Sequence, residues 1–350
     1  MKQKEERPYI HYELLRIFAA FSVVVLHSAA QSWYYLDITS PEWFIANAYD
    51  AVFRFGVPVF VMISGALFLG RDKAIDIKRL YSRNISRMVV IYIVWSFVYS
   101  WYSKDLSPGV LNFKDIVRMI LDSSYHLWFL PMLVGLYILL PVLHSWVRSA
   151  GKANIEYLLA GFLVLQIGRE TIKALTISDE VHTLLDIGHV ELMCSYAGYF
   201  VLGHYIANIG IPRKWHKWIY IGCIPALLCS IMVSYFMSFR LEVPTATAYD
   251  SFSFFTFLVS VAVFLAFTAH REEFTRGIKC HGLVRELSAD TFGAYLVHLL
   301  IIYILNENGI HSRMFFNLFG IPVLSVMVFV LSMAIAAVLR RIPVIGRYIC

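Results

Sequence analysis

Charge is scarce in this chain. Asp, Glu, Lys and Arg make up 15% of its 350 residues, against ~25% in an ordinary soluble domain. That leaves too few solvated side chains to coat a water-soluble particle of this size. Hydrophobic residues reach 59%, where ~45–50% is usual, and mean hydropathy is +0.65. Cysteine is sparse as well. Cys194, Cys223, Cys229, Cys280 and Cys350 have no CxxC spacing, and three of them lie in apolar runs. They read as small packing residues, so neither a disulfide frame nor a metal site is expected. No linker, repeat or low-complexity tract interrupts the chain. Disorder, a coiled coil and a secreted disulfide scaffold are thereby excluded. The short alternating segments of a membrane β-barrel are missing too.

What the chain has instead is long apolar runs. A transmembrane helix needs roughly 20 mostly apolar residues, and about ten stretches qualify. They are Leu14–Tyr34, Ala51–Leu69, Met88–Tyr102, Leu127–Val147, Ile155–Gly168, Leu192–Ile209, Trp218–Met237, Phe252–Ala269, Thr291–Leu305 and Ile321–Leu339. The expected class is an all-α polytopic integral membrane protein with about ten transmembrane helices. The first run is too long for a signal peptide, holds Arg16 and His27, and lacks a small-residue cleavage site, so it reads as a retained helix.

Loop charge tests that count. With a cytoplasmic N-terminus, the inner segments carry 21 Lys and Arg and the outer segments 7. That asymmetry is the positive-inside pattern, and it puts both termini in the cytoplasm. The formal charge of +6 therefore reports topology and calls for no nucleic-acid partner. The segment 107–124 mixes apolar and charged residues with helical periodicity and reads as a surface or re-entrant helix.

Ionisable residues inside apolar runs are costly, by ~2.5–3.5 kcal/mol even on the mildest scale. Arg16 and His27 lie on one helix. Eleven residues bring them within about 20° of each other around the axis and ~16 Å apart along it. Arg16 then sits near the cytoplasmic edge and His27 at mid-depth. A guanidinium at the edge suits a phosphate, and an imidazole at depth suits proton transfer. Arg16 also fits a snorkelling edge residue or a partner of Glu13, and His27 a hydrogen-bonded packing residue. Arg54 enters the second run, where Gly56 and Pro58 weaken the helix. Ser64-Gly65 suits a close helix approach. Beyond that run, Arg79, Arg83 and Arg87 recur every four residues and share a helix face that suits an anionic group, or lipid headgroups. His126 and Trp128 stand at the expected outer rim. Tyr295 and His298 lie as deep as His27 on another helix, and His204 near a cytoplasmic helix end reads as structural.

These residues, in this order, resemble the membrane acyltransferase 3 family. Arg16 and His27 match its R-x10-H signature. Arg54-Phe-Gly-Val-Pro-Val-Phe-Val-Met-Ile-Ser-Gly, the basic 78–87 stretch, His126-Leu-Trp-Phe-Leu and Thr291-Phe-Gly-Ala-Tyr-Leu-Val-His298 continue the match. The family-like core covers about 9–340 of a single membrane domain spanning 1–350, with no soluble domain. The size resembles the stand-alone bacterial O-acetyltransferases that modify cell-surface glycans. Members with a fused esterase-like or racemase domain carry an extension that this reading does not include.

The resemblance implies transfer of an acyl group from cytoplasmic acetyl-CoA, or another acyl-CoA, to a hydroxyl of a carbohydrate acceptor in the inner or plasma membrane. The acyl-CoA is a co-substrate, and no bound cofactor is expected. His27 and Arg16 are the implied catalytic pair. Arg16, Arg79, Arg83 and Arg87 are the candidate donor-binding cations. Arg54, His126, Trp128, Tyr295 and His298 are candidates for acceptor or oxyanion contacts. His27 fits a general base or an acyl-carrying nucleophile. A secondary transporter or flippase, with Arg54, His27 and His298 lining a substrate path, is the alternative. The topology is testable directly. A reporter fused after Cys350 is expected to be active only in a form that works in the cytoplasm; activity of a periplasm-dependent reporter there would mean a helix count wrong by an odd number.

Overall fold

In the computed structural model, which describes residues 9–103, 124–186, 191–342 and 346, every regular element is a helix. Eight helices among the described residues are long and apolar enough to cross a membrane. The protein is a multi-pass, all-helical membrane protein. The expected surface helix at 107–124 lies outside the described residues except for its last residue.

Helix α1 (Ile10–Tyr35) is followed by α2 (Pro41–Phe53) and α3 (Gly56–Leu69). Helix α4 (Ile77–Tyr102) carries a wider π turn over Leu80–Ile85. A 3-10 turn, Tyr125–Trp128, leads into α5 (Phe129–Ser149). Then come a continuous helical run α6 (152–175), α7 (Asp179–Asp186) and α8 (Glu191–His204), which continues as a π turn to Ile209. The last five are α9 (Arg213–Leu241), α10 (Phe254–Ala269), the short α11 (Arg271–Gly277), α12 (His281–Glu307) and α13 (Asn317–Arg341).

Two of the ten expected spans are not among these eight. Ile155–Gly168 sits inside α6, but Lys152, Glu156, Arg169, Glu170 and Lys173 flank it so closely that no long uncharged window remains. Leu192–Ile209 is helical, but its described part is too short to qualify and is broken at Ser195. The second span starts ten residues before the expected Ala51. Ser40 caps α2 by accepting the Trp43 N–H at 3.1 Å, and Pro41 occupies the first turn, where its missing N–H costs nothing. Most of the expected outer loop 35–50 is therefore helix. The span then breaks at Arg54-Phe55. Pro58 has no N–H to give the Arg54 carbonyl, which ends one helix and begins the next.

Helix α1 is the central strut and packs against α2, α3, α12 and α13. On the side opposite its start, buried polar groups tie the bundle together. Ser32 bonds Ser312 at 2.7 Å and Asn317 at 3.1 Å, and Asn317 reaches the Glu42 carbonyl at 3.0 Å. The Asn47 side-chain oxygen accepts from Ser234 at 2.7 Å, while its amide donates to the Ile231 carbonyl at 3.1 Å. The indole of Trp43 donates to the Trp33 carbonyl at 2.9 Å. In hydrocarbon such groups have no water to turn to, so each is paired inside the protein.

The expected close approach at Gly65 is present. A β-carbon there would overlap the Phe200 backbone of α8, and one on Gly203 would overlap the Met62 backbone of α3. These two glycines let α3 and α8 meet backbone to backbone. Gly65→Ala must push the helices apart, at ~1–3 kcal/mol or more for overpacking. Its melting temperature in detergent is expected to fall clearly. Gly135→Ala, where nothing lies within 4 Å, is expected to leave it unchanged.

Candidate active site

The start of α1 opens onto a cavity of about 1000 Å³. Arg71, Lys73, Arg79 and Arg271 line it, together with Asp72 and Asp76. None of these four cations pairs with a carboxylate among the described residues. Asp76 uses its carboxylate to accept the Arg79 backbone N–H at 3.0 Å. Of the expected donor-binding residues, only Arg79 lines this space. A π turn at Leu80–Ile85 lies between the three arginines spaced by four, and their surroundings differ. Arg83 is exposed. Arg16 and Arg87 lie deeper, and their charges, with that of Arg71, converge on Tyr137 of α5. Arg16 is half-buried and lies 3.7 Å from Glu13, the local pair that its spacing allowed.

Further along α1, three histidines from separate elements meet. His27 of α1 and His298 of α12 have ring centres 5.0 Å apart, and those of His298 and His126 are 5.4 Å apart. The Tyr125 hydroxyl lies 3.1 Å from His27 Nδ1. Tyr99 packs edge-on against His126 at 4.7 Å. The Tyr295 hydroxyl donates to the His126 carbonyl, and the Tyr295 carbonyl lies 2.5 Å from His298 Nδ1. A carbonyl only accepts, so His298 carries its proton on Nδ1. Its other nitrogen, Nε2, is then a buried lone pair without a partner.

His126 departs from expectation. The rim position predicted from sequence is in fact buried at 2% exposure, because the 3-10 turn tucks its ring under Tyr99 and against His298. Trp128, two residues on, points away. It is exposed and packs near Tyr196 at 5.5 Å, outside the histidine cluster. His204 faces Asn208 at 3.2 Å, remote in sequence and contacts from that cluster.

Arg54 is held by a residue the sequence reading passed over. Its Nε and Nη2 donate to Asp50 at 2.6 and 2.9 Å, and its guanidinium lies 4.8 Å above the Tyr249 ring. Asp50 is 1% exposed. The bidentate grip leaves Nη1 unspent, and the Arg54 charge acts on both His27 and Tyr125. An aspartate four residues before an arginine on a helix was a legible signal. Tyr99, Tyr125 and Tyr249 carried none, since only the packing of distant segments brings them here. Arg71, Lys73 and Arg271 are loop and helix-start residues that looked like ordinary topology charges.

No group of three or more His, Cys, Asp or Glu among the described residues is placed to hold a metal ion. The arrangement offers a set of free cations at one end of α1, and at depth a histidine cluster beside a fixed guanidinium. Both sets belong to one membrane-spanning helical bundle. The acyltransferase domain of the acyltransferase 3 family matches residues 9–341, so the chain belongs to that family and is a transferase acting on acyl groups. An amino-acid racemase from Enterococcus faecalis is 30% identical over 168 residues, which is 43% of this chain. The chain covers only 22% of that racemase's length. No solved structure matches it.

The Asp50–Arg54 pair separates structure from chemistry. Arg54→Ala leaves a buried carboxylate without its partner, which costs about 3 kcal/mol, and a clear drop in melting temperature is expected. The double variant Asp50→Asn/Arg54→Gln removes both charges. It is expected to regain most of that stability while acyl transfer stays low.

Proposed function

We propose that this protein is an O-acyltransferase of the cell inner or plasma membrane. It takes an acyl group, acetyl foremost, from cytoplasmic acyl-CoA and attaches it to a hydroxyl of a cell-surface carbohydrate or its precursor. One observation carries this reading: a single helix joins the two centres the reaction needs. Arg16 and His27 share one stripe of α1 and lie ~16 Å apart along it. The cationic cavity opens at the start of that helix, and the histidine cluster surrounds His27 further in.

Coenzyme A is a polyanion on a long, flexible thioester arm. Its phosphates suit Arg71, Lys73, Arg79 and Arg271, and the arm suits the path along α1 past Arg16. At the inner end, His27 takes the proton of the acceptor hydroxyl as the oxygen attacks the thioester carbonyl. The C–O bond forms, the C–S bond breaks, and the departing thiolate takes the proton back. In the alternative sequence a His27 nitrogen attacks first, the C–S bond breaks and the thiol leaves with the ring proton; the acceptor oxygen then attacks, the C–N bond breaks, and the ring takes up the hydroxyl proton. The free Nη1 of Arg54 and its charge suit the oxyanion of either tetrahedral intermediate. The lone pair on His298 Nε2 suits a hydrogen bond from the acceptor or from protonated His27.

His27→Ala is expected to lower acyl transfer by at least ~10²-fold without loss of insertion, since the deleted group is a costly one in a membrane. His27→Gln keeps a hydrogen-bonding side chain but cannot take up a proton. Near-normal turnover in that variant would end the catalytic reading of His27. Labelled acetyl-CoA given to purified protein with a glycan acceptor is the direct assay. A transporter or flippase would leave the thioester intact.

A further inference from the structure

The cavity at the start of α1 holds one feature that a general attraction for anions does not explain. His11 lies on its wall and is 4% exposed. Its Nδ1 is buried without a hydrogen-bond partner. The ring therefore borders the cavity with a nitrogen that no protein group satisfies, and a ligand atom reached by a small turn of the ring would supply the missing partner. Arg271, at the start of α11, lines the same cavity, and its charge acts directly on His11 and on the neighbouring Tyr12. Neither group has an ion-pair partner among the described residues. The other three cations, Arg71, Lys73 and Arg79, come from the α3–α4 connection and the first turn of α4.

Resting on the acyl-CoA reading above, we infer that His11 and Arg271 form a subsite for a phosphate monoester, the 3′-phosphate on the ribose of the donor nucleotide. The assignment follows from the division of the cavity. The thioester end must travel inward along α1, which keeps the nucleotide end in the wide, cationic part. That end carries two separate anionic groups, a diphosphate and a 3′-phosphate. The cations likewise fall into two sets on different elements. Arg71, Lys73 and Arg79 suit the linear diphosphate. A guanidinium fork plus one imidazole nitrogen suits a terminal phosphate, which offers three oxygens to converging donors. Binding there would satisfy the orphan Nδ1 and balance Arg271 at once.

The test compares coenzyme A with 3′-dephospho-coenzyme A by calorimetry on the full chain, purified in lipid-free detergent. The wild type is expected to bind coenzyme A about tenfold or more tightly than the dephospho form, the value of one or two charge-assisted hydrogen bonds. His11→Ala and Arg271→Ala should each remove most of that difference by weakening coenzyme A alone. Arg276→Ala, on the exposed end of α11 and paired with Glu272, should retain it. Equal wild-type affinity for the two nucleotides would overturn the subsite and leave the acyl-CoA reading standing. So would variants that weaken both nucleotides alike. Binding of neither nucleotide would end both. A third arm uses nanodiscs containing phosphatidic acid, whose headgroup is also a phosphate monoester. Wild-type binding of that lipid, lost in His11→Ala and without any 3′-phosphate preference in the nucleotides, would assign the pair to lipid and overturn the inference.

Discussion

Everything in this structure depends on keeping the polar side chains of α1 away from hydrocarbon. One helix carries Arg16, Ser22, His27, Ser28 and Ser32 through a region where an unpaired polar group has no water to fall back on. The cost of exposing them to lipid is met by surrounding α1 on several sides. Helices α2, α3, α12 and α13 pack around it, and α12 brings His298 to His27. The same constraint that buries the chemistry also protects it. The buried imidazoles are shielded from bulk water, and a fixed guanidinium acts at short range in a medium of low polarity.

The break between α2 and α3 shows how local sequence serves that arrangement. Pro58 withholds one hydrogen bond, the helix ends at Phe53, and Arg54 leaves the regular helical ladder with Asp50 locked to it. A guanidinium with three free edges would be a poor tenant of such an interior. Pinned through Nε and Nη2 by a carboxylate that is itself almost wholly buried, it keeps Nη1 for other work. Glycine does the complementary task about two helix turns beyond Pro58, where Gly65 and Gly203 let α3 and α8 close without a side chain between them. Those contacts hold the end of α3, and with it the loop bearing Arg71 and Lys73, against the mouth of the cavity.

The two ends of α1 are built in different ways for different reasons. At its far end, neutral amides and hydroxyls pair with one another, which suits a scaffold. At its near end, four cations line an open space and none has a carboxylate of its own among the described residues. Self-repulsion among them is tolerable only where solvent screens it or an anion arrives. The family to which the chain belongs transfers acyl groups, and an anion of any kind is what such a surface accommodates.

The residues alone determined the class of protein, because hydropathy and loop charge are sums over many positions and survive local error. They also marked Arg16, His27, Arg54 and His298, since an ionisable group in an apolar run announces itself through its cost. Gly65 was legible for the same reason, a small residue placed where helices must touch. Tertiary structure decided the rest. It drew His126 inward from its expected rim, turned Trp128 away, and set Tyr125 beside His27. It also gave the arginines at 79, 83 and 87 different surroundings, with Arg79 on the cavity wall, Arg83 exposed and Arg87 half-buried. The cationic cavity was invisible beforehand for a plain reason. Its walls come from the starts or ends of five helices and the middle of α5, and short-range patterns carry no information about which distant segments meet.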